Sequence, residues 1–247
     1  MENKVSLKRP FWWFFAAYAI SFGLFYCAYI LQDSLRIDFA PLDYTRYFYL
    51  QALNFAAPLI AGAVLIPIGR DLGTAYAMKK SWILPLSTLI YSVPYYYFYY
   101  FYVTIDSLEA ILFGLLNTLF DCVVFYLQSL VIYFAVRWLT RVIAKRKSDA
   151  KIYDLLSERS PFDLSRPLSI AVFITVGIKF LVMLIMEIIT TVGYLLDFSG
   201  SYKIDEIVYI LVSYVILLAE LIATQYFIFF AKNRIEQKNN ITEAEKA

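Results

Sequence analysis

Four ionisable residues stand inside long apolar runs of this chain: Asp121, Lys179, Glu187 and Glu220. A charge at the centre of a membrane helix costs roughly 2.5–3.5 kcal/mol on insertion scales. Such groups persist where they pair, hold a cation or carry a proton. Counted along their runs, Asp121 and Glu220 fall at the midplane. Lys179 lies about 4.5 Å to one side of its run's centre and Glu187 about 7.5 Å to the other, at ~1.5 Å per residue. Helical spacing then sorts them onto faces with polar neighbours. Asn117, Asp121 and Gln128 share a stripe, as do Ser213, Glu220 and Thr224. Lys179, Met183, Met186 and Thr190 form a third, with Glu187 beside it. Three acids against one base leave surplus negative charge. A dry interior would not hold it, so a proton, a small cation or water must offset it. Exchangeable charge at the midplane is the equipment of transporters and ion pathways. The structural alternative is that Lys179 pairs with Asp121 or Glu220 and glues the helices together.

Several chemistries are excluded or left without support. The chain has no His, which removes histidine-based metal sites, Ser–His catalysis and the usual near-neutral proton shuttle. Cys27 and Cys122 each lie inside an apolar run and read as small buried residues. Ser148 and Lys151 fit S-x-x-K spacing but sit in a polar connection without the accompanying motifs. No phosphate-binding loop is present. No metal, cofactor or enzymatic activity is expected. A net charge of +2 gives no argument for nucleic acid.

The elements that must position these groups are membrane spans. Of the 247 residues, 61% are hydrophobic and only 17% charged, against a typical ~25% charged. Six runs are long enough to cross a bilayer, about 11–31, 47–68, 82–102, 108–136, 168–196 and 207–231. They are expected to be helical, because an open strand edge in lipid leaves backbone groups unpaired. The first run is too long for a cleaved leader and reads as a span. Eighteen of the 22 Lys and Arg fall on one side of this arrangement. Arg36, Arg46 and Lys203 fall on the other, and Lys179 lies within the fifth run. That bias places both termini in the cytoplasm. Trp12, Trp13, Trp82 and Trp138 mark the cytoplasmic ends of runs. A tyrosine belt, which includes Tyr95, Tyr96, Tyr97, Tyr99, Tyr100 and Tyr102, marks the outer end of the third.

The largest polar connection spans 137–167. Arg137, Arg141 and Lys145 recur at four-residue spacing and should prolong the fourth helix into the headgroups. With Arg146 and Lys147 they are candidates for anionic-lipid binding, at about 1 kcal/mol per residue. A short helix is expected within 148–159. The expectation is therefore an all-α, six-span bundle in one domain, 1–247, with cytoplasmic tail 232–247. It would lie in a cell membrane, of a bacterial cytoplasmic kind by composition. Its leading function is transport, as a carrier, an ion pathway or the membrane subunit of a transporter. The alternative is a non-catalytic scaffold or regulator. The partners are the lipid bilayer and a proton or small cation. A partner subunit or a homo-oligomer is compatible with either reading.

Overall fold

A computed structural model describes residues 7–36, 40–104, 108–145, 152–196 and 204–244. All regular structure among them is helical. In order these are α1 (Lys8–Asp33), α2 (Ala40–Asp71), α3 (Thr74–Ser81), a 3₁₀ turn (Pro85–Thr88) and α4 (Leu89–Thr104). There follow α5 (Leu108–Ala144), α6 (Ile152–Leu156), α7 (Pro167–Leu196) and α8 (Ile204–Ala244). Among the described residues five stretches are long and apolar enough to cross a membrane: Lys8–Asp33, Tyr44–Asp71, Ile111–Ala144, Pro167–Ile189 and Leu211–Gln237.

The third expected run is the exception. It is not one long helix. The chain turns after Ser81, winds a 3₁₀ turn from Pro85, and becomes α-helical only at Leu89, leaving α4 with 16 residues. Pro85 starts the turn because it has no N–H to donate. The Ser87 and Thr88 hydroxyls bond back to the Leu84 and Pro85 carbonyls at 2.6 and 2.7 Å, which stabilises the tighter winding. The side chains of Tyr97, Tyr99, Tyr100 and Tyr102 lie outside the described residues.

Packing groups the chain into two compact units: Met1–Phe134 with Ala231–Ala247, and Ala135–Phe230. In the first, α2 is the core. Of its apolar window 72% is buried, and Phe55, Ala57, Leu59, Ala61, Val64 and Leu65 are almost wholly enclosed. Small residues let neighbouring backbones approach, as membrane helices require. At Gly62 an added Cβ would lie 2.8 Å from the Ser129 carbonyl oxygen and 2.7 Å from Ile132 Cγ2. Only glycine fits that crossing of α2 with α5. Pro58 and Pro67 lie inside α2 without ending it, because surrounding helices shield the backbone groups they free. Phe14, Tyr18 and Phe125 pack against Ala57 and Ala61, with Phe14 and Phe125 edge to face.

The second unit is more open. α7 exposes Ile178, Leu181, Val182, Ile185, Met186 and Ile189 along its outer face. Water would not tolerate that stripe and lipid would, so the face fits a membrane environment. The polar connection ahead of α7 is folded. Pro167 occupies its first turn, where a missing N–H costs nothing. Glu158 Oε2 accepts the Leu168 and Ser169 N–H groups at 3.1 and 3.4 Å, a carboxylate on a helix N-terminus. Gln225 of α8 donates to the Pro161 carbonyl at 2.7 Å and holds the connection down. Cys122 is half-buried, but Cys27 is exposed rather than buried. A thiol on an apolar helix gains little from burial when the alternative is lipid.

Candidate functional site

In the second unit α7 and α8 bring their charged residues together. Glu220 is only 8% exposed. Among the described residues neither of its carboxylate oxygens has a hydrogen-bond partner. The charge that acts on it is Lys179 of α7. Nearer the α7 C-terminus, the Ser213 hydroxyl donates to Glu187 Oε1 at 2.9 Å. A turn further on, the Thr191 and Tyr214 hydroxyls meet at 3.2 Å. Leu217, Glu220 and Thr224 are all buried and lie within about 40° of Ser213 around α8, so one stripe of α8 carries the two charged residues' contacts with α7, and Tyr214 adds a third beside it. A buried carboxyl with no hydrogen bond among the described residues thus lies within reach of the Lys179 charge, in a low-dielectric setting.

Asp121 belongs to the first unit and meets other elements. Its partners come from α4: the Tyr96 hydroxyl donates at 3.3 Å and Ser92 donates as well. No cation pairs with it among the described residues. The Asp121 side chain lines a cavity of about 210 Å³ together with Tyr18 of α1, Asn54 of α2, Tyr91 of α4 and Gln128 of α5. Asn117 is half-buried one turn away from Asp121 on α5. The expected stripe of Asn117, Asp121 and Gln128 thus follows one helix, and its neighbours in this unit are α1, α2 and α4. Among the described residues no three Cys, Asp or Glu side chains gather as a metal site would require.

A second ionic cluster in the first unit escaped the sequence reading. Lys232 and Glu236 of α8 are 1% and 4% exposed. Lys232 Nζ lies 3.0 Å from Glu236 Oε1, and Arg70 Nη1 of α2 lies 3.0 Å from the same oxygen. Arg70 Nε also pairs with Asp71 at 2.7 Å. Close by in the chain, the Thr74 and Tyr133 hydroxyls meet at 3.3 Å. Arg70 and Lys232 had counted only as orientation charges beyond the ends of spans. The four-residue step from Lys232 to Glu236 was the available signal. It does not distinguish a solvated pair from an enclosed one.

In the polar connection, α5 carries Arg137 half-buried and Arg141 exposed, and Lys145, just past its end, is exposed. Arg146 and Lys147 lie outside the described residues. Glu158, by contrast, is half-buried. Burial pushes its carboxyl above the usual glutamate range, although the Ser169 and Leu168 N–H groups pull the other way. Asp163 is held below the usual range by the Ser165 hydroxyl and N–H that donate to it.

No protein-family model, no curated protein and no solved structure matches the chain.

Proposed function

We propose that this is a multi-pass membrane transporter, ion pathway or transporter subunit, and that the Lys179–Glu220 pair is its exchangeable charge. The observation that carries the reading is the state of Glu220: enclosed within a membrane-length helix, with no donor on either oxygen and an ammonium acting on it. A carboxyl kept for glue alone would be satisfied by donors, as Glu236 is. One left unsatisfied gains most from a proton or a small cation, and exchanges it when water reaches the pair. Six spans and cytoplasmic termini are part of the proposal. The 3₁₀ turn supplies about 8 Å and α4 about 24 Å, together enough for a core of ~30 Å. The 18-to-3 distribution of Lys and Arg supports the orientation. No enzymatic activity is proposed.

The test is flux in liposomes containing the purified chain. Proton- or Na⁺-dependent flux is expected in the wild type and its loss in Glu220→Gln, with the variant still folded. Identical behaviour of the two proteins across pH and Na⁺ would favour the scaffold reading instead.

A further inference from the structure

The cavity beside Asp121 is the second polar feature at membrane depth, and its walls are chemically uneven. One carboxylate stands in it, with no cationic partner among the described residues. Tyr96 and Ser92 occupy two of its roughly four lone-pair sites, which leaves about two for a ligand. Aromatic rings form much of the remaining wall. Tyr91 is held by stacking on Tyr95 at 5.3 Å, and Phe125 by its edge contact with Phe14 at 6.0 Å. These rings are fixed in place before any ligand arrives. Asn54 and Gln128 are the exposed members of the lining and mark the mouth. A cationic side chain that acts on the wall is Arg46, whose charge reaches Tyr91 and whose guanidinium sits over the Phe25 ring.

The geometry points to a binding site for a small organic ammonium ion in this cavity, with Asp121 as counter-ion and Tyr18, Tyr91 and Phe125 as the ring surface. An anion would meet the carboxylate and be repelled. A neutral ligand would leave that charge unbalanced. A bare metal cation would fit loosely, since the volume equals about seven waters at ~30 Å³ each and a single carboxylate supplies the only charge. An ammonium group carrying a few carbons fills the space, pairs with Asp121 and lays its positive face against the rings. The inference names a substrate class for the transport reading and rests on that reading only for the ligand's use, not for its binding.

The experiment is thermal unfolding of the full chain in detergent, with choline as probe. Its neutral isostere 3,3-dimethylbutanol and NaCl at equal ionic strength serve as controls. Choline should raise the unfolding temperature with a saturable midpoint, and the two controls should not. Asp121→Asn, close in shape, should move that midpoint at least tenfold to higher concentration. Tyr91→Leu should move it less, through loss of ring surface alone. The inference is overturned if the isostere or Na⁺ stabilises as well as choline does, if Asp121→Asn keeps the wild-type midpoint, or if choline has no effect. Choline binding without any flux would refute transport and keep the site. Glu220-dependent flux without choline binding would do the reverse.

Discussion

Glu220 and Glu236 stand on the same helix, sixteen residues apart, and both are enclosed. Their surroundings are opposite. Glu236 has Arg70 and Lys232 at 3.0 Å on one oxygen, in the unit built around α2. Glu220, in the other unit, has Lys179 acting on it and no hydrogen bond on either oxygen. Burial alone therefore does not identify a working carboxylate. Satisfaction does: a fully paired group is anchored, and an unsatisfied one has a reason to change its state.

The contrast breaks most directly at Glu236. Glu236→Leu removes a carboxylate that lies 3.0 Å from a lysine that is 1% exposed, and should cost about 3–5 kcal/mol in denaturant titrations in detergent. Glu220→Gln loses the charge acting on Lys179 but no hydrogen bond, and should cost clearly less, about 1–2 kcal/mol. Equal losses at the two positions would remove the distinction. Adding Lys232→Met to Glu236→Leu should then recover part of the loss, roughly 1–3 kcal/mol of coupling, since Arg70 keeps Asp71 at 2.7 Å. Strict additivity in that cycle would mean the pair is not coupled.

A paired glycine test asks whether the two units differ in packing as they do in charge satisfaction. Gly62→Ala meets the Ser129 carbonyl and Ile132 and should destabilise by about 1–3 kcal/mol. Gly177→Ala meets nothing within 4 Å and should stabilise α7 by roughly 0.5–1 kcal/mol. Unfolding temperatures that move the same way would contradict the difference.

The smallest effect concerns a third carboxylate, Glu158, which serves as an extramembrane control. Its folded carboxyl keeps its proton to higher pH than the unfolded chain does. Its contribution is therefore full below the usual glutamate range and lost as pH rises through the raised value. Asp163, lowered in the fold, acts the other way: its contribution is lost as pH falls below the usual aspartate range. Amide exchange at Leu168 and Ser169 should slow slightly on mild acidification, after correction for intrinsic rates. Glu158→Gln should flatten that response. A Glu158→Gln profile that matches the wild type would show that the cap does not set it.

Apolar run length by itself determined the class of this protein. Runs of about twenty apolar residues have one stable form in lipid, so the all-helical architecture and most of its boundaries followed from counting. The same counting placed Asp121, Lys179 and Glu220 at comparable depth, and spacing put Ser213 on the stripe of Glu220. The tertiary structure alone decided which neighbour each stripe meets. A period of 3.6 residues specifies a face and carries no information about what lies opposite. For that reason only the fold shows that Asp121 meets Tyr96 and Ser92 of α4. The break at Pro85 depended on Ser87 and Thr88 bonding locally within an otherwise apolar run, which average hydropathy does not register. Lys232 shows the limit most clearly. A lysine just beyond an apolar run reads as a solvated flank, and only the packing of α2 against that stretch of α8, with Arg70 and Glu236 beside it, makes it one of the most enclosed side chains in the molecule.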